Sequence, residues 1–138
     1  MKRNERVSKI MSDSPTTVHV HQSLAEVQKL MVQGNFHHVP VVSGKKLVGM
    51  ISATDLTRAS YEYDTNSKTA QTVLDHTRSI EDVMSGGLVT VKSTQTIREA
   101  VELLAQDWFH ALPVVDDDMN LEGIVTTTDV LKYLLEQY

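Results

Sequence analysis

The chain has 138 residues, 41% hydrophobic and 22% charged, with a formal net charge of −5 and no cysteine. That is the composition of a folded globular chain rather than a disordered one, sized for one ordinary domain or two small ones sharing a core. It excludes disulfides and thiolate metal sites, and its scattered Lys and Arg argue against a nucleic-acid partner, although a local pocket can still take a single nucleotide. No apolar run approaches the roughly 18 to 20 residues that span a bilayer. No hydrophobic stretch follows Met1-Lys2-Arg3-Asn4-Glu5-Arg6. Neither a membrane anchor nor a secretory signal is expected, and the cytoplasm is the default location.

After an opening Met11-Ser12, the run Thr17-Val18-His19-Val20 alternates as a short strand. Ser23-Leu24-Ala25-Glu26 has the spacing of a capping box, in which Ser accepts from the Glu amide and Glu reaches back to the Ser amide. The helix that starts there carries Leu24, Val27, Leu30 and Met31 on one face, and Gly34 is expected to end it in the left-handed conformation. Val39-Pro40-Val41-Val42 and Leu47-Val48-Gly49-Met50-Ile51, separated by Ser43-Gly44-Lys45-Lys46, read as a hairpin. A second helix follows from Asp55 to about Ser60, with Thr54 as its N-cap.

The same order then returns. Met84-Ser85 lies 73 residues after Met11-Ser12, and the shift holds for Thr90-Val91, Glu99, Leu103, Phe109-His110 and Pro113-Val114-Val115. One extra residue in the Asp116-Asp117-Asp118 turn makes it 74 for Leu121, Gly123 and Thr128-Asp129. Thr96 and Glu99 form the second box, Ile97, Ala100, Val101 and Leu104 the second stripe, and Thr128 the expected cap of a helix from Asp129 to about Glu136. The chain is therefore an internal duplication. Repeat 1 occupies 1–59, a polar linker 60–79 and repeat 2 80–138, with a short helix expected in the linker around Thr72 to Asp75. Each repeat is a β-α-β-β-α unit of an α/β (α+β) fold. Neither copy buries enough apolar surface to be comfortable alone, so the two small sheets are expected to pack together.

Gly49-Met50-Ile51-Ser52-Ala53-Thr54-Asp55 and Gly123-Ile124-Val125-Thr126-Thr127-Thr128-Asp129 both follow the pattern glycine, two apolar residues, Ser/Thr, any residue, Ser/Thr, Asp. With the Met-Ser openings and the Phe-His-x-hydrophobic-Pro-Val-Val strands, this resembles the cystathionine-β-synthase (CBS) domain family in its tandem form, the Bateman module. The resemblance implies a pseudo-twofold pair with two clefts that take adenosine nucleotides such as AMP, ATP or S-adenosylmethionine as ligands rather than required cofactors, and a homodimer. It places Asp55 and Asp129 on the ribose hydroxyls, which a carboxylate suits by accepting from both. Ser52, Thr54, Thr126 and Thr128 fall at helix starts suited to phosphate. Thr17, Val18, Thr90 and Val91 are expected to offer backbone contacts to the base, with Val39 and Leu112 as its apolar walls. His37 and His110 are expected to approach a phosphate. His38 helps in repeat 1 only, since Ala111 replaces it in repeat 2.

Other features read more simply. The Thr-Asp pairs also suit helix caps, His19 and His21 suit solvated surface, and Asp116-Asp117-Asp118 lacks the spaced ligands of a calcium loop and reads as a hairpin turn. Phe36 and Phe109 are expected in the core, and Trp108, standing where repeat 1 has Asn35, in the core or an interface. No nucleophile with a base, metal site or Gly-rich phosphate loop is present, so no enzyme is expected. The expected role is a regulatory sensor, which an unidentified regulated protein would read out. The alternative is an interaction module in which dimerisation is the function and the clefts stay empty.

Overall fold

The computed structural model describes residues 4–34, 36–63, 79–106 and 110–138. The linker helix expected around Thr72 to Asp75, with Asn35, Trp108 and Phe109, lies outside them. The described chain runs as a 3-10 turn Val7–Lys9, β1 Val18–His19, α1 Leu24–Gly34, β2 His38–Ser43, β3 Lys46–Ser52 and α2 Ala53–Tyr63. It continues as α3 Ile80–Val83, α4 Ile97–Leu104, β4 Ala111–Val115, β5 Leu121–Thr126 and α5 Thr127–Gln137. This is the mixed α+β order expected of each repeat.

Two compact units result, Thr16–Leu88 and Met1–Pro15 with Val89–Tyr138. In the first, β2 pairs antiparallel with β3, and β1 lies parallel to β2 through Val18 to Val41 and His19 to Val42. In the second, β4 and β5 form the corresponding hairpin, while the strand expected at Thr90-Val91 is reduced to one parallel bridge between Val91 and Val114. Both hairpins carry a register shift at equivalent places, between Val41 and Val42 and between Val114 and Val115.

The units cut across the repeats because each repeat's opening segment lies in the unit that holds the other repeat's sheet. Ser12 and Ile124 exchange backbone hydrogen bonds of 2.9 and 3.0 Å, and Ser85 and Met50 do the same at 2.9 and 3.1 Å. Val7 and its counterpart Ile80, 73 residues later, are each fully buried in that borrowed position. Each such burial contributes about 1.5–3 kcal/mol. The repeated glycines make the approach possible. A Cβ on Gly123 would sit 2.5 Å from the Ser12 carbonyl oxygen, and one on Gly49 2.3 Å from the Met84 sulfur.

The helix stripes bury as their spacing predicts. Leu24, Val27 and Met31 enter one core with Val18, Val39, Val41, Ile51 and Leu56, and Ala100 enters the other with Val91, Leu112, Val114 and Val125. The capping boxes of α1 and α4 form by half. Ser23 Oγ and Thr96 Oγ1 accept from the Glu26 and Glu99 amides, both at 3.1 Å. The glutamates do not reach back to the caps; Gln22 Nε2 and Gln95 Nε2 donate to them instead, at 3.0 and 2.8 Å. The same glutamines accept from the His19 and Lys92 amides through their side-chain oxygens, so each ties a strand end to a helix start.

Three local expectations are corrected. Gly34 is not left-handed; it belongs to α1, and the Phe36 ring lies so close that a Cβ there would come within 2.1 Å of it. Phe36 accordingly covers the helix end and stays partly exposed instead of entering the core. The second helix of each repeat begins two residues earlier than expected, at Ala53 and Thr127, so Ser52 and Thr126 are the N-caps and not Thr54 and Thr128. The Asp116 turn, by contrast, is the expected hairpin connection. Asp116 Oδ1 accepts from the Asp118 and Asn120 amides, both at 2.9 Å, and Lys92 pairs with Asp117, whose hydrogen bond and charge raise the lysine pKa.

Candidate functional site

An α-helix leaves its first four N–H groups without intrahelical partners. At the start of α2, Ser52 N–H donates to Asp55 Oδ2 at 2.9 Å, Ala53 N–H to the His37 carbonyl at 2.9 Å, and Asp55 N–H to Ser52 Oγ at 3.0 Å. Only the Thr54 N–H has no partner among the described residues. α5 repeats the pattern with Thr126 N–H to Asp129 Oδ2 at 2.8 Å, Thr127 N–H to the His110 carbonyl at 3.1 Å and Asp129 N–H to Thr126 Oγ1 at 3.2 Å, leaving Thr128 N–H. Asp55 and Asp129 are half-buried, whereas Thr54 and Thr128 are exposed.

The aspartates thus cap their helices with one oxygen and keep Oδ1 without a donor among the described residues. Capping and ligand binding are not alternatives at these positions, because the fixed Oδ2 holds the carboxylate while Oδ1 stays available. Oδ2 uses one lone pair on the cap and Oδ1 none, so each carboxylate can still accept from two hydroxyls.

Several expected contacts move. Val39 and Leu112, expected as walls for a base, have no exposed surface and belong to the two cores. Val18 and Val91 are equally core, and the Val91 N–H and carbonyl are bonded to Pro113 and Val115. Exposed Thr17 and half-buried Thr90 remain the accessible members of that group. His37 and His110 are exposed and joined to the helix starts through their carbonyls, while His38 is half-buried and opposite Ser52 on β3. The His19 and His21 rings lie 5.1 Å apart, tilted by 35°, with a bond of 3.3 Å from the His21 amide to His19 Nδ1. Among the described residues no group of three or more metal-ligating side chains is arranged to hold an ion, and no helix is long and apolar enough to cross a membrane.

Beside Asp129 a hollow of about 200 Å³ is lined by Lys9, Ile10, Lys132, Tyr133 and Glu136 with Asp129 itself. Sequence reading missed it, although Asp129, Lys132, Tyr133 and Glu136 recur at helical spacing along one face of α5. Lys9 was beyond such reasoning, because only the exchanged opening segment carries it there.

The CBS domain pattern matches residues 7–62 and 80–136. Over 114 residues the chain is 32% identical to the uncharacterised protein MJ1225 of Methanocaldococcus jannaschii, covering 81% of this chain and 41% of that protein. It is 30% identical over 125 residues to the L-aspartate semialdehyde sulfurtransferase of the same organism, covering 90% of this chain and 22% of that protein. The chain therefore spans less than half the length of these curated relatives. Among solved structures, CBSX2 in complex with AMP aligns over 96% of this chain and 98% of its own with a TM-score of 0.82 at 27% identity. The CBS domain pair of MJ0100, in complex with 5′-methylthioadenosine and S-adenosyl-L-methionine, aligns over 96% and 98% with a TM-score of 0.77, also at 27% identity. With both repeats matched and whole CBS pairs superposing on nearly its full length, this chain belongs to the CBS domain family as a tandem pair, a Bateman module.

Proposed function

We propose that the chain is a non-catalytic regulatory module that binds an adenosine-containing small molecule. Asp55 and Asp129 would accept from ribose hydroxyls, and the helix starts at Ser52 and Thr126 would receive phosphate. The observation that carries this reading is the matched pair of helix starts. Each keeps one carboxylate oxygen and one N–H, Thr54 or Thr128, without a partner among the described residues. The ligands in CBSX2 and MJ0100 support the class of molecule. His37, His38 and His110 remain candidates for phosphate, and Thr17 and Thr90 for the base. Binding would act on a regulated protein by favouring one arrangement of the module, to the extent of its differential affinity for the two.

Isothermal titration with AMP, ATP, NADH and S-adenosylmethionine tests this. Asp129→Ala or Asp55→Ala is expected to weaken the bound nucleoside roughly tenfold to hundredfold, about 1.5–3 kcal/mol, the range for a hydrogen bond to a charged group. Asp129→Asn, which keeps an oxygen for the cap, separates ligand loss from helix loss. Heat from none of the four compounds would leave the interaction reading.

That second reading has its own observation. Leu131 and Leu135 on α5 and Tyr138 just after it are 56%, 76% and 101% exposed, an apolar stripe suited to a second copy of the chain. Leu135→Glu is expected to shift sedimentation from dimer to monomer without lowering thermal stability. A dimer unaffected by it would remove this face from the interface. The proposed location is the cytoplasm.

A further inference from the structure

The two hairpin tips are equivalent in the duplication but opposite in charge. Repeat 1 turns through Ser43-Gly44-Lys45-Lys46, and repeat 2 through Asp116-Asp117-Asp118-Met119-Asn120. The side chains of Lys45 and Lys46 are exposed and have no partner among the described residues. In repeat 2 Lys92 pairs with Asp117, and the exposed Asp118 carboxylate has no partner among the described residues. One tip is therefore positive and the other negative.

Their apolar residues differ as well. Each register shift adds one unpaired residue to the second strand of the hairpin, Val48 between Leu47 and Gly49 and Glu122 between Leu121 and Gly123. A bulge re-aims such a side chain away from the ladder. Glu122 Oε1 accepts from Ser93 Oγ at 3.4 Å. Repeat 1 has Val20 and Val48 at those two positions, Val20 half-buried against the core and Val48 37% exposed. What is a polar contact in repeat 2 is thus an open apolar spot in repeat 1, on the strand that Lys46 begins.

The acidic tip carries the matching knob. Met119 is 42% exposed and holds φ 65°, a left-handed conformation that Gly44 supplies without strain in repeat 1. A strained backbone that presents a large apolar side chain to solvent points to a use for that side chain. The unbranched thioether adapts to irregular apolar surfaces, and here it directly follows three aspartates.

We propose that the two tips are the halves of a contact between copies of this chain. Met119 of one copy seats on the Val20 and Val48 spot of another, with Asp117 and Asp118 against Lys45 and Lys46. Charge complementarity selects a second copy as the occupant, because it joins unlike tips and opposes like ones. Two tips are small against the roughly 1,000 Å² of a stable complex, so the contact is weak and salt-dependent. It needs neither a bound nucleotide nor the apolar stripe on α5.

Sedimentation of the full chain carrying Leu135→Glu isolates the contact, since that substitution removes the α5 stripe. Self-association is expected at about 0.01 M ionic strength and should weaken about tenfold at about 0.15 M, as the screening length falls from about 30 Å to about 8 Å. In the same background, Lys45→Glu with Lys46→Glu, and Asp117→Lys with Asp118→Lys, should each abolish it. Thermal unfolding should stay unchanged, because the exposed Lys92 pair with Asp117 contributes little. Mixing the two doubly substituted chains should restore association, because unlike tips then meet again. Met119→Gly, which alters no charge, should also weaken it. The proposal is overturned by a Leu135→Glu chain that does not associate at low ionic strength, or by a mixture no more associated than its components. Loss in the lysine variant alone would give the basic tip to a different acidic partner and overturn the contact between copies.

Discussion

The helix starts at Ser52–Asp55 and Thr126–Asp129 are built alike, bond for bond, yet their surroundings have diverged. One capping box lies in a unit where Asp82 and Ala59 occupy the flanking positions, and the other in a unit where Lys9 and Tyr133 do. The backbone geometry is retained because the helix N–H groups must be satisfied in both copies, whatever binds there. Flanking side chains carry no such obligation, so they are where duplicated sites acquire different chemistry. The hairpin turns teach the same lesson. Repeat 1 meets a left-handed requirement with Gly44 at φ 63°, and repeat 2 meets it with Met119 at φ 65°.

The comparison is sharpened most by the two strand glycines. Gly123→Ala places a methyl against the Ser12 backbone and is expected to cost about 2–3 kcal/mol, the upper part of the overpacking range. Gly49→Ala meets the flexible Met84 side chain instead and should cost about 1 kcal/mol. Chemical denaturation of both variants measures the difference, and equal losses would mean that the two exchanged segments are seated equally firmly.

A middle-sized effect tests the likeness of the helix starts. Ser52→Ala and Thr126→Ala should each lower stability by about 1 kcal/mol, as for other N-caps. A twofold disparity would show that one cap bears more of its unit's stability than the other.

The smallest effect probes the turns. Met119→Gly should raise stability by about 0.5 kcal/mol, the relief of a left-handed side chain less the extra freedom that glycine gives the unfolded chain. Thermal unfolding reads this, and no gain would mean that the methionine side chain compensates through contacts of its own.

Much of the fold was legible because its signals are local. The stripe Leu24, Val27, Met31 and the hairpin around Gly44 follow from periodicity and turn chemistry acting over a few residues. The motif ending in Asp55 and Asp129 was equally readable, but the cap was assigned to the wrong hydroxyl. Ser52 and Thr54 both precede that aspartate, and only the extended backbone leaving β3 decides which of them faces the helix amides. Val39 and Leu112 were legible as apolar, although sequence could not say whether core or ligand would cover them.

By itself the sequence determined the duplication, the order of elements within each copy and the residues at each helix start, since all of these rest on short-range spacing. Tertiary structure alone decided that Met11-Ser12 pairs beside Ile124 while Met84-Ser85 pairs beside Met50, and hence that Lys9 reaches Tyr133. Two equivalent sheet edges offer an opening segment the same hydrogen bonds. The choice between them depends on where the chain returns in space, and no local pattern records that.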